Sequence, residues 1–255
     1  MAKHVKKANN RKKRILLIIE IIIVIIIIIS GYNIFVWLNE NNRNKEILEE
    51  ISSKVTVEEV QYEDGNKKKY NIDFSGLKEK NSDTVAWIKV ENMRIEYPIV
   101  KTGDNAYYLN KSFDKSNNSA GWIFMDYKNK ADGTDKNIVL YGHNRKDGSM
   151  FGDLKDVFTE EWYQNQDNMY ITYITENEYC KYQIFSAYRI EDEDYYITTK
   201  FKSNDEFDKF VNKLKSRSFK NFEVEVSGED QILTLSTCSD ANYRVAVHAK
   251  KIVSE

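Results

Sequence analysis

Residues 231–253 read QILTLSTCSDANYRVAVHAKKIV. Side chains alternate between the two faces of a strand. In Gln231–Cys238, Leu233, Leu235 and Thr237 therefore share one face, and Thr234, Ser236 and Cys238 share the other. The turn-prone Ser239-Asp240-Ala241-Asn242 follows, and Arg244 then opens a second β-branched run, Arg244–Ile252. This short connection returns Arg244 to the sheet edge that carries Cys238. Working outward, runs of the same kind recur between turn signals at Val85–Val90, Arg94–Val100, Gly121–Met125, Ile138–Tyr141, Met169–Thr175, Lys181–Ile190 and Phe222–Val226. From about residue 73 onward the chain is thus expected to form one mainly β domain, a barrel or a sandwich. Two helical insertions interrupt the strands. Phe151–Val157 and the following Glu160–Tyr163 form one. The other is Asn204–Ser216, where Phe207, Phe210, Val211 and Leu214 make one apolar stripe that suits packing on the barrel.

The N-terminal end differs in kind. From Ile15 to Ile29 every residue but Glu20 is apolar, and the run extends to Leu38. A helix over 15–38 would be about 36 Å long against roughly 30 Å of hydrocarbon. Each apolar residue contributes about −0.3 to −0.6 kcal/mol to insertion, which outweighs the ~3 kcal/mol of one central carboxylate. A cleaved signal peptide is the rival reading, but no small-x-small cleavage signature follows the run. One uncleaved transmembrane helix is expected, with a basic tail over 1–14 in the cytoplasm and the remainder outside. Tyr32 and Trp37 suit the outer interface. Residues 39–72 are expected to hold a juxtamembrane helix over Asn39–Val57 and then a polar loop or linker over Glu58–Tyr70.

The charge balance argues against nucleic acid. The whole chain sums to −2, but residues 1–14 carry seven positive side chains and no acidic one, so the rest sums to −9. Phosphate binding needs a basic patch on the folded part. Two cysteines, Cys180 and Cys238, cannot build the dense disulfide framework of a small secreted domain. No Cys/His spacing resembles a zinc site and no Gly-rich phosphate loop occurs, so neither a metal nor a cofactor is expected.

Beyond residue 38 the strong nucleophiles and bases are few: His143, His248, Cys180 and Cys238. Cys238 ends a strand on a polar face, and His143 lies at a strand end in Tyr141-Gly142-His143-Asn144. His248 is expected to be an outward-facing polar residue. A thiol of pKa about 8.5 is only partly ionised at neutral pH, and a nearby imidazolium or guanidinium raises the thiolate fraction. Thiolate, imidazole and guanidinium at one barrel edge would suit acyl transfer: attack on an acyl carbon, protonation of a leaving amine, and stabilisation of an oxyanion.

The Thr234–Cys238 run TLSTC, the Leu140–Asn144 run LYGHN and an arginine opening the next strand resemble the sortases, membrane-anchored cysteine transpeptidases of Gram-positive bacteria. Asn81–Ile88 (NSDTVAWI), Arg145–Leu154 (RKDGSMFGDL) and a helix inserted before the penultimate strand resemble class B. The likeness covers most of the chain beyond residue 75. It implies an eight-stranded β-barrel over 73–255 with an N-terminal helical extension. It also implies roles: Cys238 as nucleophile, His143 as its acid/base partner, and Arg244 as the residue that binds substrate backbone and oxyanion. Ser236 matches a substrate-contacting serine, and Tyr196 and Ile197 match a pocket wall. Arg189 is the substitute cation should Arg244 point away. Asp240 either orients His143 or, as expected, serves the turn, and Cys180 matches no motif and is expected to be structural. The connection from Cys238 to Arg244 is shorter than in several class B members.

The implied reaction cleaves a C-terminal sorting signal of the N-P-x-T-x kind after its threonine, through a thioacyl enzyme, and passes the protein to a peptidoglycan amine. The implied partners are surface proteins bearing that signal, the peptidoglycan amine, and the bilayer through residues 15–38. Two other readings stay open on the residues themselves. One is a secreted cysteine protease, although the CGSCW and QACRG signatures are absent. The other is an anchored β-barrel binding module with an inert Cys238.

Overall fold

The computed structural model describes the backbone of residues 2–62, 65–191, 193–238 and 243–254, and the side chains of 13–58, 69–191, 193–237 and 243–252. Two compact units emerge, residues 1–45 and residues 46–255. Helix α1, Ala2–Ser52, begins in the first unit and ends in the second. In the first unit, apart from Glu20, Ser30, Gly31 and Asn33, its residues from Ile15 to Leu38 are apolar, and all but Val36 are exposed. Such a helix is long and apolar enough to cross a membrane.

In the second unit the last turns of α1 contribute Ile47, Leu48 and the buried Ile51 to the main core. The helix stops at Ser52, and strand β1, Val55–Tyr62, pairs antiparallel with β2, Gly65–Ile72, as a separate two-stranded sheet. The expected helix over Asn39–Val57 thus ends early, and the expected loop over Glu58–Tyr70 is mostly strand. Val55, Val57 and Val60 lie on a strand whose partner is rich in lysine, and the polar average of the two masked a β pattern. Helix α2, Phe74–Lys80, follows, capped by Asp73, whose carboxylate accepts from the Gly76 N–H at 2.9 Å.

Eight further strands close into a barrel: β3 (Thr84–Val90), β4 (Glu96–Val100), β5 (Phe124–Met125), β6 (Asn137–His143), β7 (Tyr170–Ile174), β8 (Tyr179–Ile190), β9 (Ile232–Cys238) and β10 (Arg244–Ser254). Their order around the barrel is β10-β8-β7-β3-β4-β5-β6-β9. Two neighbouring pairs, β4/β5 and β6/β9, are parallel and the rest antiparallel. Eight of the nine expected runs are strands. The ninth, Phe222–Val226, is irregular, because there the chain covers the outer core and pairs with no strand.

Both faces of the strands near the site are buried. Leu233, Leu235, Val245 and Val247 belong to the main core, whereas Ile232 and Ala246 belong to a second core with Phe185, Tyr188 and Ile190. Helix α3, Glu160–Gln164, follows a 3₁₀ segment at Gly152–Phe158. Helix α4, Asn204–Arg217, covers the second core with Phe207, Val211 and Leu214, all fully buried. Its N-terminus is capped by Ser203, which accepts from the Glu206 N–H.

Truncating the α4 stripe removes packing from this outer layer. Leu214→Ala is expected to destabilise the second unit by about 2–5 kcal/mol, the usual range for a cavity left by a buried leucine. Urea unfolding followed by circular dichroism measures this, and a loss below about 0.5 kcal/mol would contradict the packing role.

Candidate active site

Parallel pairing of β6 with β9 decides the geometry of the rim. His143 and Cys238 are Cα partners at the ends of these strands, and Tyr141 is the partner of Ser236. On the other side of β9, Ser236 pairs with Ala246 of β10. Continuing that register by two residues sets Arg244 level with Cys238. Strand alternation then carries Tyr141, His143, Ser236 and Arg244 to one wall, where they line a cleft of about 440 Å³ with Asn105, Leu109, Phe124, Ile197 and Thr237. That volume lies within the usual span of ligand sites, roughly 300–1,000 Å³.

Each polar group in the cleft is held. The His143 imidazole is partly buried, and its Nε2 lies 2.7 Å from the Leu109 carbonyl oxygen. A carbonyl only accepts, so Nε2 carries a proton and Nδ1 is the nitrogen that exchanges one. Gly121 makes this fit possible. It sits at φ +60°, and a Cβ there would lie 2.6 and 2.8 Å from the carbonyl oxygens of Tyr108 and Leu109 and 2.9 Å from the His143 ring.

Below the cleft, the buried Asp126 carboxylate accepts from the Tyr141 hydroxyl at 2.7 Å and from Asn105 Nδ2 at 3.0 Å. Burial, and then this carboxylate, hold the Tyr141 phenol well above its ordinary pKa, with the Arg244 guanidinium pulling the other way. Tyr141 thus remains a protonated donor.

Ser236 is fixed from behind: its hydroxyl and that of Tyr196 are 2.8 Å apart, and both residues are fully buried. Ile197 lines the cleft, whereas Tyr196 supports it from the second core. Arg244 lines the cleft and Arg189 does not, so the condition under which Arg189 would substitute, an Arg244 pointing away, is not met. Asp240 lies outside the described residues. Cys180 is buried on β8 beside Tyr173, and burial pushes its thiol up to about 12.

The expectation for His248 is overturned. It does point outward from the barrel, but α4 and the segment before it cover that face, leaving the ring fully buried. Burial pushes it down to about 3, so it is neutral. Asn137 spends its amide on the carbonyls of Tyr196 and Thr198, and its Oδ1 accepts from Thr234 Oγ1 at 2.7 Å. Thr234, its one proton used, accepts from His248 Nδ1 at 2.9 Å, and His248 Nε2 accepts from the Tyr188 hydroxyl at 2.9 Å. The chain of bonds runs in one direction with every buried group satisfied.

Sequence reasoning passed over Asn105, Leu109 and Asp126, which lie outside every expected run, and passed over the roles of Gly121 and Phe124, although both fall within the expected strand run Gly121–Met125. Tyr141 was legible, being two residues before His143 on the same strand face.

The sortase domain family matches residues 88–252. Sortase B of Listeria monocytogenes is 34% identical over 211 residues, covering 82% of this chain and 83% of that one. The chain belongs to the sortase family, class B. Sortase B from Bacillus anthracis in complex with AAEK1 is 35% identical and superposes with a TM-score of 0.72 over 84% of this chain and 99% of that one. A sortase B complexed with triglycine is 34% identical, with a TM-score of 0.67 over 70% of this chain and 85% of that one. The eight-stranded barrel is therefore a sortase barrel, in a family of cysteine transpeptidases.

Two outcomes test the site. The folded His248 value of about 3 lies below its ordinary 6.5. The unfolded chain therefore takes up a proton that the folded chain refuses, so this contribution to stability is complete above pH 6.5 and is lost as pH falls toward 3. His248→Gln is expected to flatten the fall of unfolding free energy with acid in that window, as read from urea titrations at stepped pH. Gly121→Ala is expected to lower turnover by about 10²-fold through displacement of the imidazole, with kcat falling more than KM rises in a peptide-cleavage assay.

Proposed function

We propose that this sortase is anchored by residues 15–38 with its N-terminus in the cytoplasm and its barrel outside, and that it joins surface proteins to peptidoglycan. The observation that carries the reading is the β6/β9 register, in which His143 and Cys238 are Cα partners beside a cleft that Arg244 and Ser236 line. Seven positive charges before the apolar helix support the orientation.

In this mechanism the sorting signal, of the N-P-x-T-x kind, lies in the cleft against Ile197 and Ser236, with its threonine carbonyl at Cys238. The Cys238 thiolate attacks that carbon and the carbonyl electrons move onto oxygen. Arg244, always charged and rigidly forked, stabilises the resulting oxyanion. As the tetrahedral adduct collapses, the C–N bond breaks and His143 gives its proton to the departing amine. A thioacyl enzyme remains. An amine of the peptidoglycan then attacks the same carbon, loses a proton to His143 and releases the Cys238 thiolate. The sortase B complexed with triglycine supports an amine as second substrate. A binding module with an inert thiol would have no use for this register.

The test is incubation of the full chain, in detergent micelles, with internally quenched sorting-signal peptides, the products being read by mass spectrometry. Cleavage after threonine and a thioacyl adduct on Cys238 are expected. Cys238→Ala and His143→Ala should each abolish turnover, and Arg244→Lys should lower kcat by about 10²–10³-fold, as for loss of an oxyanion donor. Cleavage retained in Cys238→Ala would overturn the mechanism.

A further inference from the structure

Two side chains that line the cleft, Tyr141 and Asn105, end on the same buried oxygen. Oδ2 of Asp126 accepts from the Tyr141 hydroxyl at 2.7 Å and from Asn105 Nδ2 at 3.0 Å, while Oδ1 accepts from the Lys128 N–H at 2.8 Å. The other end of the Asn105 amide is fixed as well, because its Oδ1 accepts from the Tyr127 N–H at 2.9 Å. These bonds determine what each group still offers. Tyr141 has given its one hydrogen to Asp126 and keeps lone pairs, so toward the cleft it is an acceptor. Asn105 has a second Nδ2 hydrogen that no described residue receives, so toward the cleft it is a donor. Sharing one partner oxygen, acceptor and donor are close neighbours, like the C=O and N–H by which one strand residue bonds the residue opposite.

We propose that Tyr141 and Asn105 grip one extended residue of the sorting signal by its own N–H and C=O, and that Asp126 is the positioning residue that sets their polarity. The inference rests on the transpeptidase reading and names how the cleft holds that substrate's backbone. In an extended peptide the N–H and C=O of one residue point to the same side, so an acceptor beside a donor meets them as a paired strand would. Position selects the residue. Tyr141 is level with Ser236, two residues from the level of His143 and Cys238, which is roughly 7 Å at strand rise. With the threonine carbonyl at Cys238, a step of that length along an extended peptide reaches the N–H of x in N-P-x-T-x. Proline, the next residue back, has no N–H to give. A carboxylate fits less well, since it has nothing to donate to Tyr141. Holding x by its backbone leaves its side chain unread, as suits a position at which the signal varies.

The test uses the full chain in detergent micelles. A sorting-signal peptide that it cleaves is compared with a twin in which x is replaced by the matching 2-hydroxy acid, so that an ester oxygen stands where the N–H was. Only cleavage after threonine, identified by mass spectrometry, is counted. In the wild type the ester is expected to lower kcat/KM by about tenfold, because the Tyr141 oxygen is left unpaired. The loss should appear as a raised KM, the mark of an interaction equally strong in ground and transition states. Asp126→Asn keeps the shape but turns a donor toward Tyr141, whose own hydrogen must then turn to the cleft. Tyr141→Phe keeps the ring beside Phe124 and removes the oxygen. In each variant peptide and ester should be cleaved within about twofold of one another, whereas a merely structural role would slow both alike and leave their ratio at the wild-type value. An unchanged ratio in either variant, or no ester cost in the wild type, would overturn the proposal. Should circular dichroism show that Asp126→Asn does not fold, Tyr141→Phe decides alone. The two readings fail distinguishably. A wild type that cuts peptide and ester equally well refutes the grip and leaves the transpeptidase standing, whereas a chain that cuts neither refutes the transpeptidase reading, and the grip falls with it.

Discussion

The pairing of β6 with β9 is the constraint on which the site depends. Parallel neighbours cannot be joined by a tight turn, so the chain between them must cross over. Here the crossover, residues 144–231, holds the 3₁₀ segment, α3, β7, β8 and α4. It therefore builds much of the barrel and its outer layer. The register of this one pair sets His143 level with Cys238. A shift by a single residue would turn every side chain of β9 to the opposite face and carry Ser236 out of the cleft.

That arrangement requires an outer strand face that is polar and yet dry. Thr234, Ser236 and His248 point away from the barrel, and the burial that α4 provides would be costly if any of them lacked a partner. The bonds from Asn137 through Thr234 and His248 to Tyr188 satisfy them in turn and link four neighbouring strands, β6, β9, β10 and β8. A network of this kind holds one arrangement where an apolar layer would permit several. Ser236 shares in it through Tyr196, so one residue of the cleft wall is positioned by the layer behind it. The front of the cleft is ordered differently, with backbone carbonyls and the buried Asp126 directing His143, Tyr141 and Asn105.

Much of this was legible in the chain. Eight strands and α4 follow from periodicity, because period 2 and period 3.6 are direct consequences of local geometry. The apolar helix follows from composition. Cys238, His143 and Arg244 were singled out by residue type and position at strand ends, and Ser236 by the resemblance to a substrate-contacting serine of class B sortases. The hairpin over residues 55–72 was missed because its strands alternate weakly and carry many lysines. Phe222–Val226 has the composition of a strand, but no neighbouring edge is open to it. His248 was misjudged because alternation tells which face a residue takes and says nothing of what lies over that face.

The sequence alone therefore determined a mainly β domain, the membrane-length helix and the chemical types available for acyl transfer. These depend on near neighbours in the chain. Which strands are parallel, which residue stands level with Cys238, and which loop carbonyl meets the imidazole were decided only by the tertiary structure. They depend on pairings between residues far apart in the chain, and such pairings leave no periodic trace in either partner segment.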